Sequence, residues 1–235
     1  MNGHRLKSLF AIASITAITL AGCDSFPGRP TQAELPLRPT KVTDFATLYG
    51  ENCAGCHGAN GKDGSALAMN NPIYLALIDD ASMRRVIANG FAGTAMPPFA
   101  QSAGGSLTGH QIDLLIAGIR TTWAGTGDAA AGAPPYSDST AGDTNRGAQL
   151  YATNCQSCHG ADGNSGTAGS LVDPSYLALV SNQYLRTIVI AGRPDLGQPD
   201  WKNAAGGQPL TSQQVSDVVA WLASKRPASP LAQSN

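Results

Sequence analysis

LYGENCAGCHGANG, residues 48–61, returns 102 positions later as LYATNCQSCHGADG, residues 150–163. The likeness extends on both sides. PIYLALI (72–78) aligns with PSYLALV (174–180), Arg84 with Arg186, Gly90 with Gly192, and Gly104-Gly105 with Gly206-Gly207, all at that same offset of 102. After the glycine pair the offset becomes 103, which aligns Leu107-Thr108 with Leu210-Thr211. Composition bias does not generate a repeat of this length, so the chain is a tandem duplication.

Four of the five cysteines fall inside the repeated stretch, as Cys53 and Cys56 followed by His57, and as Cys155 and Cys158 followed by His159. The pattern C-x-x-C-H is that of c-type haem attachment. Two thiols one helical turn apart can each form a thioether to a vinyl group of one porphyrin, and the adjacent histidine then meets the iron from the proximal side. A zinc ribbon would place its cysteine pairs about 15–20 residues apart and needs no histidine after each. A redox disulfide wants a βαβ context that is not found, and structural disulfides leave the two histidines unexplained. Two covalent haems are therefore expected.

Each copy reads as helical. One helix leads into the cysteines, a second opens at Pro-x-Tyr-Leu, and a third carries Arg84 or Arg186. The last starts behind a threonine N-cap, Thr108 or Thr211. Ile112, Leu115, Ile116 and Ile119 repeat at helical spacing, as do Val215, Val218, Val219 and Leu222. No alternating strand pattern competes, so the expected class is all-α with two tandem domains, 44–123 and 143–226. The Ala/Gly/Pro/Ser-rich stretch 124–142 reads as a linker, and 227–235 as a tail.

The 235 residues are 42% hydrophobic and only 13% charged, with 27 glycines and 15 prolines. A formal charge of −1 provides no basic excess to neutralise phosphates, which argues against a nucleic-acid partner. At the N-terminus, Arg5 and Lys7 precede an apolar run from Leu9 to Leu20, shorter than the roughly 20 residues that span a bilayer. The run ends in Leu20-Ala21-Gly22-Cys23, which resembles the lipobox of bacterial lipoproteins. That resemblance implies cleavage after residue 22, lipidation of Cys23 and export; Asp24 then favours the inner membrane. The proline-rich segment 23–43 reads as a spacer between the lipid and the first domain.

Taken together, residues 44–226 resemble the class I c-type cytochromes, in a diheme, lipoprotein-anchored form. The resemblance implies one helical haem domain per repeat, with its first and last helices crossing. It implies one-electron transfer, with His57 and His159 as proximal iron ligands. It also implies a distal methionine from a loop after the third helix, and GTAMPPF (93–99) offers Met96. The matching loop AGRPDLGQPDW (191–201) carries Gln198 in that place. No methionine follows Met96, and His110 is the sole histidine beyond residue 22 outside a C-x-x-C-H; at the start of a helix it reads as solvated. Gln198 through its amide oxygen, or a vacant or water-filled position, is favoured over Lys202 for the second haem. Arg193 faces either a haem propionate or solvent.

The crossing helices need a small residue under a large one. Gly147 lies opposite Trp221 in the second copy, whereas the first has Phe45 and Gly118, so large and small have traded helices. The expected function is electron transfer on the periplasmic side, from a quinol-oxidising complex or dehydrogenase to an oxidase or soluble carrier. The alternative is a haem enzyme or sensor acting on peroxide, nitric oxide or a sulfur species at a weakly ligated second haem, with Asp195 and Asp200 as its nearby acid–base groups.

Overall fold

The computed structural model describes residues 28, 30–31, 35–125 and 127–227. Residues 1–27, with the expected signal sequence and Cys23, most of the segment from there to Leu35, and residues 228–235 lie outside the described residues. The chain divides after Lys41 into two compact units. In the first, the regular structure among the described residues is a 3-10 turn, Pro39–Lys41. The second unit, from Val42 onward, holds both repeats.

The first repeat folds as α1 (Phe45–Asn52), α2 (Ala54–His57), α3 (Pro72–Leu77), α4 (Asp80–Asn89) and α5 (Gly109–Trp123). The second follows as α6 (Thr144–Asn154), α7 (Gln156–His159), α8 (Pro174–Leu179), α9 (Asn182–Ala191) and α10 (Ser212–Ala223). Among the described residues there is no strand, only two isolated bridges. The helices start where the sequence places their caps. Thr108 and Thr211 each form a full capping box, with Gln111 and Gln214 at the third helical position, satisfying two orphan donors at each helix start. Pro72 and Pro174 open α3 and α8, where a missing N–H costs nothing.

Each repeat has its own apolar core. The expected faces of α5 and α10 are buried: Ile112, Leu115, Ile116 and Ile119 in one, Val215, Val218, Val219 and Leu222 in the other. The crossing of first and last helices is as the residue sizes imply. A Cβ on Gly118 would stand 2.1 Å from the Phe45 ring, and one on Gly147 would stand 2.0 Å from the Asp217 carbonyl oxygen and 2.8 Å from the Trp221 Cβ. The aromatic partners differ accordingly. Trp221 stacks on Tyr151 at 4.1 Å, whereas Trp123 meets Tyr49 edge-on at 4.9 Å and Phe45 at 5.8 Å.

A second exchange accompanies the first. Arg120 on α5 donates to the carbonyls of Leu75 and Ile78. In the second repeat the corresponding carbonyls, Leu177 and Val180, are met by Arg226 at 3.0 Å each. Arg226 stands where the first repeat has Trp123. Both tasks are thus kept from unlike positions, since the counterparts of Arg120 and Trp221 are Ala223 and Gly118.

The linker is strapped to the second repeat. Pro135 O accepts from Arg186, Tyr136 O from Gln183 and Ala141 O from Gln213. Asp143 at its end caps α6, and its N–H donates to the buried Asp217 at 2.7 Å. Asp217 is also gripped by Arg146 at 2.8 Å, and these bonds hold its carboxyl down at about 2.

The repeats also pack on each other. Ile73 and Tyr184 belong to the margins of both cores. Asn71 caps α3 and turns its amide to Ala191 O at 2.9 Å, at the end of α9. Asn71 is 2% exposed, while its counterpart Asp173 caps α8 in solvent. The amide is required at the buried position, because a carboxylate there could not donate and would be desolvated.

The two glycine contacts differ in what blocks them, which gives a test. Gly147→Ala drives a Cβ into backbone, whereas Gly118→Ala meets a ring that can swing aside. Gly147→Ala should destabilise its repeat by roughly 1–3 kcal/mol, and Gly118→Ala by less. Hydrogen exchange read separately on α6 and α1 measures this; equal or reversed losses would contradict the packing described.

Candidate haem sites

Both attachment motifs share one backbone design. Helix α1 ends at Cys53, whose φ of −121° departs from helix, and α2 begins at the next residue. The Cys53 carbonyl then accepts from Cys56 N–H at 3.2 Å and His57 N–H at 3.0 Å. The second repeat copies this at Cys155, which accepts from Cys158 and His159 at the same distances. The break therefore sets both thiols and the imidazole on one tight turn. Cys53 and Cys155 are half-buried, Cys56 and Cys158 exposed. Burial pushes the Cys53 and Cys155 thiols up to about 11.

The chain then folds back under the histidine. Gly58 and Gly160, at φ +81° and +83°, supply the left-handed backbone that side chains resist. Tyr49 and Tyr151 lock the turn by donating to Gly58 O and Gly160 O at 2.9 and 2.6 Å. Ten residues on, the returning chain offers a carbonyl to each imidazole. His57 Nδ1 lies 2.7 Å from Leu67 O, and His159 Nδ1 lies 2.9 Å from Gly169 O. A carbonyl only accepts, so Nδ1 must carry the proton and Nε2 is left with its lone pair, the arrangement an iron ligand needs. Burial lowers the His57 pKa, which favours the neutral imidazole.

In the second repeat a cavity of about 580 Å³ opens between this proximal wall and the distal loop, within the roughly 300–1,000 Å³ of cofactor pockets. Cys155, Cys158 and His159 line it on one side, and Leu196, Gln198 and Pro199 contribute from the loop. Leu185, Ile188, Leu210, Val218 and Leu222 supply apolar wall. Gln198 donates its side-chain amide to Ile188 O at 3.1 Å; with the nitrogen so engaged, Oε1 is the atom left to face a metal. Lys202 is exposed and does not line the cavity.

The first repeat holds Met96 half-buried in the matching loop. Each loop is pressed onto the end of the preceding helix. A Cβ on Gly90 would stand 2.4 Å from Met96 O, and one on Gly192 would stand 2.8 Å from Gln198 O. Met69 and Met83 are buried in the first core, and His110 is exposed, so among the described residues no spare soft ligand stands at the second cavity. Among the described residues no group of three or more His, Cys, Asp or Glu gathers that could hold a bare metal ion.

Arg193 corrects the choice drawn from sequence. It is buried rather than a surface arginine, lines the cavity, and pairs with Asp195 at 2.7 Å. Asp200 is likewise engaged, capping the turn Trp201–Asn203 through Lys202 N and Asn203 N. Sequence reasoning could not find the Leu67 and Gly169 carbonyls, since any residue type supplies that acceptor. The Arg193–Asp195 spacing was visible, but its burial was not.

A break in a helix carrying two thiols, a histidine presented through Nε2 and an apolar pocket across from it define a covalent haem protein. The comparisons with known proteins agree. The family described as Cytochrome c matches residues 144–225, and that described as Cytochrome C oxidase, cbb3-type, subunit III, matches residues 40–117. Each repeat thus matches a cytochrome c-type model, which supports a c-type cytochrome, and the two attachment sites fit two haems. It is 29% identical over 119 residues to the cbb3-type cytochrome c oxidase subunit FixP of Azorhizobium caulinodans. That match covers 49% of this chain but only 37% of the relative's length. Among solved structures, a reducing HAO-like protein complex of Kuenenia stuttgartiensis matches with a TM-score of 0.46 and 16% identity, over 82% of this chain and 100% of that one. The thiosulfate dehydrogenase TsdBA of Marichromatium purpuratum matches with a TM-score of 0.33 and 21% identity, over 92% and 53%.

If residue 198 faces the second iron, Gln198→Met replaces a hard oxygen with a soft thioether that favours Fe(II). The second haem's potential should rise, and the far-red sulfur-to-iron absorption of the ferric protein should strengthen. No change in either would remove residue 198 from the iron.

Proposed function

We propose that this chain is a lipid-anchored diheme electron carrier on the periplasmic face of the inner membrane. Cys53 and Cys56 hold the first haem, with His57 and Met96 as its iron ligands. Cys155 and Cys158 hold the second, with His159 on the proximal side and Gln198 or water on the distal side. When bound, the haems supply one-electron redox chemistry. The protein holds the imidazoles, excludes water with apolar walls and sets the two sites at different potentials. His/Met ligation raises the potential, so the first haem is the higher of the two.

The observation that carries this reading is the contact between the two sites. The loop 61–71 of the first repeat, which follows its attachment motif, bonds to the distal loop of the second through Asp63, Gly64 and Asn71. The first distal loop meets the end of α8 through Ala95 N and Leu179 O at 3.0 Å. Two haems so joined suit passage of single electrons along the chain. The donor is proposed to be a quinol-oxidising complex or a dehydrogenase. The similarity to a cbb3-type oxidase subunit favours an oxidase, reached directly or through a soluble carrier, as the acceptor.

An enzyme or sensor at the second haem is the weaker reading. Its candidate acid–base groups are committed elsewhere, Asp195 to Arg193 and Asp200 to a turn. Anchoring at Cys23 rests on the lipobox resemblance; no helix among the described residues is long and apolar enough to cross a membrane.

Fractionation and turnover together test this proposal. The haem-loaded chain should sediment with membranes, Cys23→Ser should release it, and membranes given a quinol should reduce both haems. A protein that stays unreduced by the respiratory chain yet turns over peroxide or a sulfur substrate unaided would overturn it.

A further inference from the structure

One side chain joins the two haem sites. Arg193 lies in the second distal loop, and its backbone is bonded to Gln198 in both directions, Arg193 N–H to Gln198 O at 3.1 Å and Gln198 N–H to Arg193 O at 2.9 Å. Its guanidinium crosses to the first repeat and donates to Gly64 O at 2.9 Å. Gly64 packs against the Cys56–His57 peptide so closely that a Cβ there would stand 2.2 Å from Cys56 O and 2.7 Å from the His57 carbonyl carbon. An unbroken path of contacts therefore runs from Gln198 through Arg193 and Gly64 to His57. It links the distal wall of one site to the proximal side of the other.

Asp195 orients the arginine. Two bonds, at 2.9 and 2.7 Å, hold the guanidinium, and both side chains are nearly buried, at 7% and 5% exposure. Asp63 N–H of the first repeat adds a bond to Asp195 at 3.3 Å. The first repeat has Phe91 and Gly93 at the matching places, so the pair exists once, at the junction. Burying an ion pair is weak evidence for stability, because the desolvation cost can match the Coulombic gain. Its position on the path between the sites suggests a different role.

We propose that Arg193, aimed by Asp195, is a positioning residue that the second repeat lends to the first haem: its cation sets that haem's potential from the proximal side. The idea rests on His57 as the first haem's ligand. A cation near an iron favours the less positive, reduced state. In an effective dielectric of about 20, one charge at a separation on the order of 10 Å shifts such an equilibrium by roughly tenfold. Because the Arg193 backbone is bridged to Gln198, a change of ligation at residue 198 would also move this charge.

Two variants of the fully haem-loaded chain test the proposal by sign, with two haem masses confirmed in each. Arg193→Gln removes the cation and leaves the carboxylate, so the first haem's potential should fall. Asp195→Asn leaves the cation unopposed, so the potential should rise. At fixed ambient potential the Fe(II):Fe(III) ratio of the first haem should change at least about threefold in each case, and Arg193→Lys should stay nearer the parent than Arg193→Gln. The first haem is followed through the sulfur band that Met96 gives it. Shifts in the same direction would mark a loosened interface and overturn the proposal, as would no shift. If Arg193→Gln does not accumulate, Asp195→Asn alone decides, a fall or no change overturning it. A missing sulfur band in the parent would count against Met96 and the ligand assignment instead; the two titration waves would still report the opposed signs.

Discussion

An imidazole held at Nδ1 by a backbone carbonyl is the interaction on which each half of this protein depends. The bonds from His57 to Leu67 O and from His159 to Gly169 O decide which nitrogen is protonated and so which is free to ligate. Neither bond forms unless the chain doubles back within ten residues. That reversal rests on glycines at left-handed φ, on a tyrosine that ties the turn to the first helix, and on the approach of Gly64 or Gly166 to the attachment peptide. A thioether pair alone would hold a porphyrin; the carbonyl would fix the imidazole that could ligate its iron.

Duplication kept this proximal frame and let the rest diverge. The crossing of first and last helices is preserved by exchanging large for small, Phe45 and Gly118 against Gly147 and Trp221. The carbonyls that end α3 and α8 are capped by arginines from different positions, Arg120 and Arg226. Asn71 and Asp173 cap equivalent helices, yet the one facing the other repeat is the neutral one, as burial demands. These changes follow from one circumstance: each repeat meets the other with a different face, so residues equivalent by descent have unlike surroundings.

Much of this was legible in the sequence. The offset repeat, the two C-x-x-C-H motifs and the threonine caps located four helices in each repeat, though not the short α2 and α7 or the 3-10 turns, and residue sizes were enough to pair Phe45 with Gly118. The junction was not legible. Arg193 reads equally as a propionate partner or a surface charge until its burial beside Asp195 is known, and the linker 124–142 reads as a spacer although its carbonyls bind α9 and α10. Backbone acceptors such as Leu67 O leave no mark in residue types at all. Contacts between the copies depend on how two finished folds meet, which no local pattern encodes.

We propose that one proximal design serves two haems with unlike distal sides, Met96 on the first and Gln198 or water on the second. Carbon monoxide bound to the fully reduced, doubly loaded protein tests it most directly, because a thioether resists displacement and a weak oxygen ligand does not. The account predicts about one readily bound equivalent per chain. Two equivalents bound with equal ease, or none, would contradict it.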